Sequence, residues 1–231
     1  MKKLLLLAAA LLVAGPVFAQ PSKDGDTVIA SSEDGKFIFS GLEHVGYGYH
    51  YMSDATYDVS ASEELFYNLL NFSYFPTPSF GFTLGIDYEF NIFSSEKSAF
   101  ILDGMNKVQT VDFSTVVSET AARRQRSSLL FHTINFPLMA CVRLGSFGIA
   151  AGAEASLNFG GSVRYKYKNG DIKYKVAHRK AELEPFTYGL VARISYEEVG
   201  IYGKFYPKSS KVLPDGSVDL NYFTIGVQLG F

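Results

Sequence analysis

The sequence predicts an all-β protein: an eight-stranded antiparallel up-and-down transmembrane β-barrel with long extracellular loops and short periplasmic turns. Three observations predict it. Apolar residues alternate with small or polar ones over eight separate segments. The connections between these segments are alternately long and short. The chain opens with a stretch that has the form of an export signal.

In that stretch, Lys2 and Lys3 precede the apolar run Leu4 to Val13, which is too short for a comfortable spanning helix. Gly15 and Pro16 break the run, and Val17-Phe18-Ala19 sets small residues where a signal peptidase reads. Cleavage is expected after Ala19. No cysteine stands at that point, which argues against a lipoprotein. Residues 1–19 are thus read as a cleavable signal and 20–36 as a polar periplasmic lead-in containing Asp24-Gly25-Asp26 and Glu33-Asp34-Gly35. Residues 37–231 form the barrel.

The alternation is clearest where Phe80, Phe82, Leu84, Ile86, Tyr88, Phe90 and Ile92 are interleaved with Gly81, Thr83, Gly85, Asp87, Glu89 and Asn91. A strand sends these two sets to opposite faces, whereas a helix would scatter both. The same reading applies to His44–Tyr51, Leu130–Leu144, Phe147–Phe159, Phe186–Tyr196 and Tyr222–Phe231, and more weakly to Leu65–Phe75 and Gly200–Tyr206. That makes eight strands. Pro76-Thr77-Pro78, Gly145-Ser146 and Glu197-Glu198 are tight turns; 52–64, 94–127, 160–184 and 207–220 are long loops. Strict long–short alternation around an even strand count is the asymmetry of an outer-membrane barrel and puts both termini in the periplasm. A spanning sheet must also close, because lipid offers no partner for edge backbone groups.

Composition agrees without deciding. The 231 residues include 20 Phe and 15 Tyr but no Trp, with 21 Gly; aromatics favour strands and membrane interfaces. A net charge of −2 gives no global basic excess to meet nucleic acid. After the export signal no run is long and apolar enough to span as a helix. The single cysteine, Cys141, reads as a buried small hydrophobe within a strand.

Three segments carry a family resemblance. They are the strand ending Ile134-Asn135-Phe136-Pro137-Leu138, the strand Phe186-Thr187-Tyr188-Gly189-Leu190 with Arg193 and Tyr196, and the closing Phe223-Thr224-Ile225-Gly226-Val227-Gln228-Leu229-Gly230-Phe231. From about residue 37 onward the chain resembles the small outer-membrane β-barrel domain proteins of Bacteroidetes, which include the PorT-like group. The resemblance implies outer-membrane residence and insertion by the barrel assembly machinery, with Phe231 as the insertion signal. Some members serve protein secretion, so an envelope protein partner is implied as well.

The charged residues fall into two groups. Asp87, Glu89, Arg143, Glu154, Arg193 and Lys204 lie on the minor, lumen-facing sides of the strands, and a charge in a narrow barrel is costly unless paired. An interior network of these groups is expected, joined by Gln228 and His44. The second group lies in the third long loop, where Arg164, Lys166, Lys168, Lys173, Lys175, Arg179 and Lys180 stand against Asp171 between residues 164 and 180. Tyr165, Tyr167 and Tyr174 are interleaved with them, and Asn169-Gly170 is the signature of a type I′ hairpin. A basic extracellular ribbon is expected, either as solvated protection of a long hairpin or as a site for lipid phosphate or acidic polysaccharide. Arg123-Arg124-Gln125-Arg126 in the second loop is a second basic rim, suited to lipopolysaccharide phosphates.

No catalytic, cofactor-binding or metal residues are expected. His44 and His50 lie roughly 20 Å apart along one strand and cannot share an ion unaided. There is no G-x-S-x-G, H-E-x-x-H or P-loop pattern. The Asn71-Phe72-Ser73 sequon has no meaning in this setting. Three functional readings stand: a non-enzymatic outer-membrane barrel that is structural or presents loops to lipid and envelope partners, a small pore, or a soluble lipocalin-like binder with its faces reversed.

Overall fold

The computed structural model describes residues 28–31, 36–52, 62–116, 122–169 and 172–230. The export signal with Ala19, Asp24-Gly25-Asp26, Glu33-Asp34-Gly35, Gly170, Asp171 and Phe231 lie outside the described residues, as do the side chains of Arg123, Arg124, Lys168 and Lys173. In chain order the elements are β1 (Val28–Ser31), β2 (Phe37–Ser40), β3 (His44–Met52), β4 (Ser62–Thr77), β5 (Phe80–Ser95), β6 (Ser98–Leu102), β7 (Val108–Asp112), α1 (Phe113–Val116), β8 (Ala122–Leu144), β9 (Phe147–Asn169), β10 (Ile172–Arg179), β11 (Phe186–Tyr196), β12 (Val199–Phe205) and β13 (Tyr222–Gly230).

Eight of these strands close into a ring, β3-β4-β5-β8-β9-β11-β12-β13 and back to β3, with every pair antiparallel. They are the eight expected from alternation. The short turns fall at Pro78-Ser79, Gly145-Ser146 and Glu197-Glu198. Gly145 has φ +64°, a conformation that glycine adopts without a Cβ penalty.

The inside–outside polarity is the reverse of a soluble barrel's. Outward side chains are large and apolar: Phe186 is 76% exposed, Leu190 57% and Ile225 53%. Inward positions of the ring hold Glu64, Asp87, Glu89, Glu154, Arg193 and Lys204, all buried. A lipocalin-like binder needs the opposite arrangement, so that reading is set aside. The outward run from Phe186 to Tyr196 covers about 33 Å of strand, or about 25 Å of height at the usual barrel tilt, which matches the apolar band of a spanning barrel. The chain is a membrane β-barrel.

The structure corrects the loop boundaries. β4, β8 and β9 run on well past the expected strand limits, so β8 and β9 each reach 23 residues. The supposed loop 94–127 contains the β6–β7 hairpin and α1, and 160–184 contains the upper part of β9 paired with β10. The lead-in is not uniformly irregular either. β1 pairs with β2, and β2 continues the β3 edge by pairing with the lower part of β4, from Phe37↔Tyr74 to Ser40↔Asn71. The break between β2 and β3 falls at Leu42, whose φ is +56°.

Candidate functional site

The lumen at membrane level is packed with charge in two layers separated by a phenyl ring. In the layer nearer the short turns, Arg193 donates to Asp87 (2.7 Å) and to His44 Nε2 (2.6 Å), and Asn68 donates to the other Asp87 oxygen (2.8 Å). In the layer above, Lys204 donates to Glu89 and lies 3.2 Å from Glu64. Asn135 donates to Glu89 (2.7 Å), and the Tyr206 hydroxyl donates to Glu154 (2.8 Å). Phe66 is fully buried between the layers; its ring lies 5.4 Å from the Arg193 guanidinium and 5.2 Å from Lys204 Nζ. Gly46 faces it from β3, where a Cβ would strike the Phe66 ring; a Cβ at Gly48 would instead meet the Tyr202 hydroxyl and Thr224. Glycine on the lumen face thus makes room for an aromatic partition that receives both cations.

Five of the six sequence-derived lumen residues meet in this network: Asp87, Glu89, Glu154, Arg193 and Lys204. His44 joins through Arg193. Arg143 does not. It is exposed beside the Gly145-Ser146 turn, with its guanidinium 4.0 Å above the Phe75 ring and its backbone N–H donating to Ser79. Position 143 faces the lumen in phase, but it lies at the very end of β8, where the side chain reaches water. Gln228 is buried near the same end, but its Oε1 has no hydrogen-bond partner.

Glu64 was missed because its segment, Ser62-Glu63-Glu64, opens a strand with polar residues. The signal was nonetheless present, since Glu64, Phe66 and Asn68 share one face by the same period of two. Four carboxylates and two cations are buried here among the described residues.

Above the charge layers the lumen filling changes. Asn91 donates to Thr133, Thr133 to Asn158, and Asn158 to Thr187, forming a belt of neutral hydrogen bonds. His50 bonds Thr224 (2.8 Å) and stacks on Phe93 at 4.6 Å. Higher still, Phe93, Phe131, Leu129, Val163, Tyr206 and Tyr222 make an apolar core with Phe100 and Val108 of the β6–β7 hairpin. Val212, Leu213, Val218 and Leu220 of the last long loop complete it. The outer mouth of the barrel is therefore closed by a dry cap. At the opposite end a cavity of about 380 Å³ opens below Arg193 and His44, bordered by Glu197 and Glu198. Cys141 is buried in a small cluster with Phe75, Met139 and Val191, as expected of a small hydrophobe.

The basic ribbon is present as β9 paired with β10. Arg164, Lys166, Lys175, Arg179 and Lys180 are described, and all but the half-buried Arg164 are exposed. The register sets Lys166 opposite Lys175 and Lys168 opposite Lys173, and β8 on the other side sets Arg126 opposite Lys166 and Arg123 opposite Lys168. Tyr165 and Tyr167 turn the other way, against the buried Ala99 and Phe113 of the hairpin and α1. Tyr167 stacks on Tyr174 at 4.8 Å. Among the described residues no group of His, Cys, Asp and Glu is arranged to hold a metal.

No family model matches the chain, and no curated protein does. Among solved structures, a mutant porin from Rh. blastica aligns with 84% of this chain and all of its own, at 10% identity and a TM-score of 0.19. That likeness is too slight to bear on fold or function.

Proposed function

We propose that this chain is a non-enzymatic, integral outer-membrane barrel whose lumen is sealed and whose working surface is the part that stands outside the bilayer. The observation that supports this most is the apolar cap of Phe93, Phe131, Leu129 and their loop partners over a lumen already filled by charged side chains. A solute would have to part both. The role we assign is structural or surface-binding, with lipid and lipopolysaccharide as neighbours. The sequence resemblance to the small Bacteroidetes barrels adds service to an envelope complex such as protein secretion. Export with cleavage after Ala19 and insertion through the barrel assembly machinery, with Phe231 as its signal, belong to the same proposal. The outward apolar band and the common end of all short turns support it.

The test joins two measurements on the full chain. Cell fractionation with heat-modifiable gel mobility is expected to place a compact form in the outer membrane. Reconstitution in a planar bilayer is expected to give no conductance steps. Stable, reproducible steps would instead establish the pore reading.

A further inference from the structure

The cations of the basic ribbon stand on the outward face of the sheet, because a single bulge exchanges the two faces of β9. Up to Phe159 the odd residues of β9 face outward and the even ones, Glu154, Ser156 and Asn158, face the lumen. His132 of β8 pairs with Phe159, but Leu130 pairs with Ser162, so β9 carries one residue more than its partner. Gly160 takes the extra step with φ +69°. A one-residue bulge inverts every side chain beyond it. Val163 and Tyr165 consequently enter the inner packing, while Ser162, Arg164 and Lys166 share the outer face. The cross-strand partners of Arg164 are Ser128 and Ala177; those of Lys166 are Arg126 and Lys175; that of Ser162 on β10 is Arg179.

Directly below this face lies an outward aromatic group. His132 is hydrogen-bonded to Tyr88 (2.6 Å), with Phe90 and Phe159 packed around it. Aromatics of this kind mark the headgroup level of a membrane. Ser162 and its partner Arg179 come three residues above Phe159, about 8 Å higher at barrel tilt, and Arg164 two residues beyond.

We infer that the outward face of β8–β9–β10 around Arg164, Lys166, Lys175 and Arg179 binds the phosphate groups of outer-leaflet lipid alongside the barrel. The inference rests on the proposed outer-membrane residence and narrows its surface-binding role to one ligand chemistry. The occupant is a phosphorylated membrane lipid, because the cations continue the lipid-facing band and flank the headgroup level. A soluble acidic polysaccharide would favour a face turned away from the membrane.

The purified full chain in detergent is offered lipid A carrying both phosphates, the same lipid with the phosphates removed, and soluble polygalacturonate; retained ligand is counted by native mass spectrometry. Retention of the phosphorylated lipid is expected, falling about tenfold or more in R164Q/K166Q/K175Q/R179Q and in about 0.5 M salt. Lys208→Gln, an exposed cation elsewhere, is expected to change nothing. Should the fourfold variant not fold, K175Q/R179Q changes only exposed positions and still predicts a loss. Equal retention of the dephosphorylated lipid, indifference to the substitutions, or a preference for polygalacturonate would overturn the inference. Heat-modifiable mobility and conductance are read on the same samples. A sealed barrel that ignores phosphate therefore sinks this inference alone, whereas a conducting one sinks the reading beneath it.

Discussion

The membrane-level lumen and the outer compartment occupy one continuous sheet, yet they are built on opposite principles. At membrane level the sheet is apolar outside and charged inside. Beyond the bulge at Gly160 it is cationic outside and apolar inside, like a soluble domain. Backbone pairing continues across the boundary on β8–β9, interrupted only by the one-residue bulge that exchanges the faces of β9. Each half satisfies its own solvent. Lipid accepts Leu190 and Ile225 but no charge, so charges are confined to the interior, where they must neutralise one another. Water accepts Lys175 and Arg179, so the interior there is free to be Phe93 and Leu129. The comparison teaches that the bulge is the hinge of the design: it lets one strand serve two solvents.

The largest expected effect comes from breaking the charged half. Lys204→Met leaves Glu89 and Glu64 facing each other without their shared cation, and removing one partner from a buried ionic cluster costs about 3–5 kcal/mol. Urea unfolding in lipid vesicles reads this, and adding Glu89→Gln is expected to recover part of the loss. A Lys204→Met barrel as stable as the parent would mean that the lumen charges do not hold one another. The apolar half comes next. Leu129→Ala removes a fully buried side chain from the cap at a cost of about 2–4 kcal/mol. Hydrogen exchange is expected to rise in β6, β7 and residues 207–220, while β11 and β12 stay protected. Uniform loss of protection would show that the two halves are one cooperative unit.

Gly160→Ala tests the hinge. It forces a Cβ into a left-handed backbone, at about 1–2 kcal/mol, and places it 2.8 Å from the His132 ring. The Tyr88–His132 contact is expected to be disturbed, with a shift in the Tyr88 or His132 side-chain resonances; unchanged resonances would mean that the bulge is permissive.

The smallest effect lies at the tip of the cap. The backbone N–H groups of Lys107 and Met105, donating to the Asp103 carboxylate, hold its pKa below the usual aspartate value. The folded-state pKa is depressed, so the turn's extra stability is present above the ordinary aspartate range and is lost as pH falls through the lowered value. The amide resonances of Met105 and Lys107 should therefore titrate on the acid side of a normal aspartate, and Asp103→Asn should abolish that titration. A midpoint at or above the normal value would contradict it.

How much was legible beforehand follows from the same division. Where one face met lipid, the period-two pattern was strong, and β5, β11 and β13 could be read almost to the residue. That Asp87, Glu89, Glu154, Arg193 and Lys204 meet in one lumen network followed, because few charges fall on inward positions; which carboxylate meets which cation did not, and comes from the strand register. Above the membrane the pattern lost its sign. Gly160 and Gly161 interrupt the alternation, so Ser162 to Asn169 read as loop although they continue β9. Ser62 to Glu64 read as loop because their polar side chains conceal the alternation below them. Arg143 shows the converse error: correct phase, but one residue from the strand end, where water replaces the lumen. The cap was illegible, because Phe100, Val108, Val212 and Leu220 come from connections whose meeting point no local pattern announces.

The most direct test of this inversion is a nitroxide scan along β9 in a Cys141→Ala background, reading collisions with lipid-soluble oxygen and with a water-soluble relaxer from residue 147 to 167. The account predicts oxygen-accessible odd positions up to Phe159, a break at Gly160-Gly161, and then relaxer-accessible even positions including Arg164 and Lys166. A single unbroken phase along the whole strand would contradict it.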